Sequence, residues 1–152
     1  MKARHVVLAA LAAMGGIGAA LVQAQVLTPD QLKFQRNPAT GSEIAVVMGD
    51  PSKAAPFVLR VKYPPGFKAM PHSHPIDIQV TVLSGTMLWA EGESFDESKL
   101  KEYPAGSFIF EKANVPHYQV AKTAVVFQAS AVTGPNAFNF VNPKDDPRNQ
   151  KK

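Results

Sequence analysis

Thirteen prolines and ten glycines punctuate a chain of 152 residues, and nearly every apolar run meets one before it could complete three helical turns. What survives between the breaks has the period of a strand. Phe57, Leu59, Val61 and Tyr63 alternate with Val58, Arg60 and Lys62, so one face is apolar and is expected to turn inward, with Arg60 solvated on the other. Ile44–Met48 reads as a buried strand closed by Gly49-Asp50-Pro51. The chain turns β-rich again from Ile76, and Ser84-Gly85 is expected to turn that run into a hairpin with Met87–Glu91. Further strands are expected at Ser107–Phe110, Thr123–Val132 and Ala137–Val141. Helix signals are two and short. Thr28-Pro29-Asp30-Gln31 is a helix start leading to Leu32 and Phe34, which would dock on the barrel, and Ser94 to Glu97 matches a capping box for a helix near 95–102. Many short strands with little helix predict an all-β jelly-roll barrel or sandwich carrying one or two short helices. No internal repeat and no second domain are visible.

Residues 1–24 read as a secretory signal: Lys2 and Arg4 precede the apolar stretch Val6–Val22, and Val22-Gln23-Ala24 is a small-x-small cleavage site. Export to the periplasm is expected, with no stable membrane insertion once the signal is removed. Residues 25–152 then form one domain with a polar tail from about 143. Loss of Lys2 and Arg4 lowers the net charge from +4 to +2. Four of the other basic residues crowd the C-terminus (Lys144, Arg148, Lys151, Lys152) beside Asp145 and Asp146, without the basic stripe and interleaved aromatics of a nucleic-acid surface; a solvated tail is expected. With no cysteine, disulfides, thiolate metal sites and thiol nucleophiles are all excluded.

The polar residues that carry chemistry are histidines. His72 and His74 are two apart, which on an extended strand puts both imidazoles on one face, roughly 6.6 Å apart along the backbone. Pro71 and Pro75 flank them and mark a short or edge strand. His117 follows Val115-Pro116 after another strand-like run. An H-x-H pair with one distant histidine on β-elements fits an open site for a divalent transition metal; a polar strand face with an unrelated loop histidine fits the same spacing.

The spacing of Gly66, His72, His74 and Gly85 resembles the first motif of the cupin superfamily, in which position 78 is usually glutamate. Gly106 and His117 are spaced as in its second motif, where positions 112, 114 and 121 are usually Pro, Gly and Asn. This chain carries Ile78, Lys112, Asn114 and Ala121 there. Gly49–Lys53, Arg60–Lys62, Val80–Gly85, Pro104–Phe108 and Val141–Pro147 are also similar to segments of small single-domain bacterial cupins of the RmlC-like jelly-roll kind. The resemblance implies His72, His74 and His117 as ligands of Fe, Mn, Ni, Cu or Zn, a small-molecule ligand or substrate, and a homodimer paired through sheet edges. Because some three-histidine cupins are dioxygenases, it also implies oxygen chemistry.

Strand parity places Ile78, Val80 and Val82 on the face of His74 as pocket residues, with Gln79 opposite unless a bulge shifts it. Three neutral imidazoles alone leave a bound ion its full +2 charge and favour a chelating anion. No catalytic residue is identified: Glu111 faces away if Phe108 and Phe110 face inward, and Tyr118 faces away from His117. Three functions compete, namely a metal-dependent oxidoreductase of the dioxygenase kind, a non-catalytic small-ligand-binding module, and a structural cupin.

Overall fold

The computed structural model describes residues 25–149; the expected signal segment 1–24 lies outside them. The alternating run becomes strand β3 (Phe57–Tyr63), and its apolar face, Phe57, Leu59, Val61 and Tyr63, is buried. It sits within a six-stranded antiparallel sheet with β1 (Gln35–Arg36), β2 (Glu43–Met48), β5 (Ile78–Ser84), β8 (Phe108–Glu111) and β10 (Val125–Ala131), ordered β1-β2-β3-β10-β5-β8. The second sheet holds β4 (Lys68–Ser73), β6 (Thr86–Glu91), β7 (Lys101–Pro104), β9 (His117–Ala121) and β11 (Asn139–Phe140), ordered β11-β4-β9-β6-β7. One core joins them: Phe57, Val80 and Phe127 from the first sheet cluster with Ala69, Met87 and Ala121 from the second. This is the all-β jelly roll that the sequence predicts.

The Ser84-Gly85 turn is not a hairpin. β5 pairs with β10 and β8, whereas β6 pairs with β7 and β9, so the turn carries the chain from one sheet to the other. Gly85 has φ +78°, and a Cβ there would lie 2.0 Å from the Ala124 carbonyl oxygen. The crossing is tight enough to admit only glycine. The capping box at Ser94 also fails. Asp96, not Ser94, caps a three-residue 3₁₀ turn at Glu97–Lys99, and β7 begins at Lys101 inside the span predicted as helix. Among the described residues the only helices are four such 3₁₀ turns, and none is long and apolar enough to cross a membrane. Val46 and Met48 of β2 are exposed rather than buried. The start at Thr28 forms the first 3₁₀ turn, Pro29–Gln31, where the Thr28 backbone N–H donates to the Gln31 side chain at 2.8 Å.

The tail folds back. Arg148 pairs with Asp146 through several hydrogen bonds and donates to the Phe138 carbonyl at 3.2 Å. Arg148 thus ties the tail to the segment before β11, while Pro143, Lys144, Pro147, Arg148 and Asn149 remain exposed, as a polar tail predicts.

Candidate metal centre

His72 is on β4 and directly faces His117 across the β4–β9 pair. His74 lies one residue beyond β4. The three side chains are buried, and each offers a ligand atom within 4.8 Å of the others. Backbone carbonyls fix the tautomer of all three. His72 Nδ1–H donates to Met70 O at 2.7 Å, His74 Nδ1–H to Ala137 O at 2.8 Å, and His117 Nδ1–H to Val115 O at 3.1 Å. A neutral imidazole that donates from Nδ1 keeps its lone pair on Nε2, the form a metal needs. Burial pushes each imidazole pKa below its ordinary value, His72 furthest, with His117 and His74 adding to that shift. Burial thus favours the neutral form of the cluster, the form that binds a metal.

Phe138 stacks on His72, with ring centroids 3.6 Å apart, and its neighbour Ala137 supplies the carbonyl for His74. This segment before β11 orients two of the three imidazoles, a role the sequence reveals only as alternation of Phe138 with Phe140. Trp89 lies along His117 at 5.9 Å.

A cavity of about 70 Å³ opens beside the histidines, walled by Ile44, Leu59, Val61, Phe127 and Ala129, with Thr40, Ser42, Asn37 and Asn136 as polar lining. It is several times what one water requires and far smaller than a drug-sized pocket. Of the pocket residues read from the sequence, Ile78 and Val80 line it, Val82 is buried in the core away from it, and Gln79 is exposed on the outer face.

Glu111 is the residue that sequence reasoning sets aside. Phe108 and Phe110 point to solvent, 61% and 46% exposed, so parity turns Ile109 and Glu111 inward. The aromatic rings misdirect because β8 is an edge strand whose outer face carries them. The Glu111 carboxylate is fully enclosed, 3.3 Å from His117 Nε2 and 3.8 Å from His74 Nε2. Gln119 Nε2, on the inward face of β9 beside His117, donates to Glu111 Oε1 at 2.7 Å. Burial pushes the Glu111 pKa up; the His74 charge and hydrogen bonding from Trp89 and Gln119 work against that. The indole N–H is close enough to favour the carboxylate, yet it lacks a partner in hydrogen-bonding geometry.

The histidines fit a transition metal. His117 Nε2 is buried without a hydrogen-bond partner, an orphan that a cation would satisfy. Metal–nitrogen bonds of about 2.0–2.1 Å put neighbouring ligand atoms roughly 3 Å apart, so small side-chain rotations close the cluster.

The profile of the ChrR cupin-like domain matches residues 22–133. No curated protein matches the sequence. Solved structures with a similar fold include the polyketide cyclase RemF from Streptomyces resistomycificus, 19% identical with a TM-score of 0.65 over 83% of this chain and 91% of that one. A predicted oxalate decarboxylase from Thermotoga maritima is 20% identical, with a TM-score of 0.57 over 72% of this chain and all of its own. An RmlC-like cupin from Shewanella frigidimarina is 14% identical, with a TM-score of 0.55 over 80% and 96%.

Proposed function

Because the chain belongs to the ChrR cupin-like family, we propose that it is a metal-dependent cupin that acts on a small organic molecule. In this reading His72, His74 and His117 hold a divalent transition metal among Fe, Mn, Ni, Cu and Zn, and the substrate occupies the adjoining cavity. Bound there, the metal would supply Lewis acidity and, if redox-active, would relay electrons from the substrate to O2 in chemistry of the dioxygenase kind. The observation that carries this reading is the shared tautomer, in which three Nδ1–H groups are committed to carbonyls and three Nε2 lone pairs converge in a buried space.

The rest of the lining describes the ligand. Ile44, Leu59, Val61 and Phe127 favour an apolar body of few atoms. Gln119 Oε1 and Asn136 Oδ1 are buried acceptors without partners, so a hydroxyl or amine on the ligand would be held there. Export with cleavage after Ala24, and pairing of two copies through an edge such as β8 with its exposed Phe108 and Phe110, belong to the same proposal. Intact mass of the exported protein and light scattering read these two points.

Metal analysis of protein purified without chelator or affinity tag tests the centre. Wild type is expected to carry close to one divalent ion per chain, and His72→Ala, His74→Ala and His117→Ala each to lose most of it. Equal, trace metal in wild type and all three variants would overturn the proposal.

A further inference from the structure

The site contains an arrangement that neutral hydrogen bonding does not satisfy. His117 Nε2 carries a lone pair, because its Nδ1–H is given to the Val115 carbonyl. The atom it faces at 3.3 Å is Glu111 Oε1, also an acceptor. The second carboxylate oxygen faces His74 Nε2 at 3.8 Å, and that ring likewise spends its Nδ1–H on a carbonyl. Two acceptors meeting across a buried gap repel each other unless a cation or a proton lies between them. The separations are close to those of neighbouring ligands on one metal, roughly 3 Å for bonds of about 2.0–2.1 Å.

The strand register explains how the carboxylate comes to be there. Glu111 on β8 is the cross-strand partner of Ile78 on β5, and residues directly opposite on an antiparallel pair share a face about 4.5–5.5 Å apart. Both side chains are buried and line the cavity. Ile78 itself has no donor atom. A carboxylate on the next strand, at the same level, reaches the same space with its longer side chain.

We propose that Glu111 is a fourth metal ligand, supplied from the opposite sheet, and that Gln119 positions it. The assignment rests on the three-histidine centre proposed above. The Gln119 amide holds Oε1 at 2.7 Å and fixes the carboxylate plane, leaving Oε2 and the remaining lone pairs of Oε1 for the ion. A bound divalent ion would then sit among three neutral nitrogens and one anion, with a site charge of +1. This replaces the fully charged three-imidazole centre inferred from the sequence alone, and it weakens the pull of the centre on anionic ligands.

The test is equilibrium affinity for Zn²⁺ and for Co²⁺ by competition with a chelator, in wild type, Glu111→Gln, Gln119→Leu and the double variant Ile78→Glu/Glu111→Gln. Partners of a ligand typically change metal affinity by about 10–100-fold when removed. If Glu111 ligates, Glu111→Gln weakens both ions by more than about 100-fold and changes the visible Co²⁺ spectrum. Gln119→Leu then stays within the 10–100-fold range, and Ile78→Glu/Glu111→Gln recovers affinity. Melting of the metal-free proteins verifies that each variant folds. If Glu111→Gln binds within about tenfold of wild type with an unchanged Co²⁺ spectrum, Glu111 is not a ligand, and a proton fills the gap to His117. Wild type that binds neither ion would instead remove the three-histidine centre itself, so the two failures are distinct.

Discussion

A histidine cluster held neutral by its surroundings makes a definite statement about acid. In the unfolded chain these imidazoles take up protons near pH 6.5. In the fold, burial holds His72, His74 and His117 neutral to lower pH. Between those limits the unfolded state binds more protons, so stability falls as pH drops below about 6.5. Glu111 has the opposite sign. Its pKa is raised by burial, so its contribution is present below the unfolded carboxyl value near 4.3 and is lost as pH rises through its folded value. The three imidazoles outnumber the one carboxyl. Metal-free protein is therefore expected to melt at progressively lower temperature as pH falls from about 6.5 to 5, and the slope should be shallower in His72→Ala. A melting temperature flat across this range in wild type would show that the cluster is not held neutral.

At the level of elements, the turn before β9 shows how a sequence can depart from a pattern and keep the shape. Position 114 is usually glycine in cupins, and here Asn114 adopts φ +62°. Asparagine is among the side chains that tolerate the left-handed region best. Its backbone N–H donates to the His74 carbonyl at 2.7 Å, so the turn that delivers His117 is tied directly to His74. Asn114→Ala is expected to destabilise by about 1–2 kcal/mol and Asn114→Gly by much less, as read by denaturant unfolding; equal losses would mean that backbone conformation is not what the position selects. Local features of this kind were legible in the sequence: the alternation of β3, the three histidines and the turn glycines. The Ser84-Gly85 crossing was not, because a glycine turn between two β-runs reads the same whether the next strand pairs back or joins the facing sheet. Glu111 was hidden for a related reason. Strand parity gives two faces, but only the neighbouring sheet decides which is inside, and the outward rings of Phe108 and Phe110 favour the wrong choice.

For the whole molecule, the position of the candidate ligands matters more than their number. His72 and His117 stand on β4 and β9 of one sheet, with His74 just past β4, while Glu111 stands on β8 of the other. A metal held by all four would clamp the two layers of the jelly roll together at an edge strand, which has hydrogen-bonded neighbours on one side only. A ligand that binds only the folded state adds about 2.7 kcal/mol at a hundredfold excess over its dissociation constant, enough to raise the melting temperature of a domain this size by roughly 5–20 °C. The location of that gain is the sharper readout. Hydrogen exchange with and without saturating Zn²⁺ is expected to slow at β4 and β9 and also at β8, while the edge strands β1 and β7, which carry no candidate ligand, change little. In Glu111→Gln with Zn²⁺ raised to saturation, protection should persist at β4 and β9 and disappear at β8. Slowing confined to β4 and β9 in wild type would mean that the ion is held by one sheet alone, and the clamp between the layers would have to be abandoned.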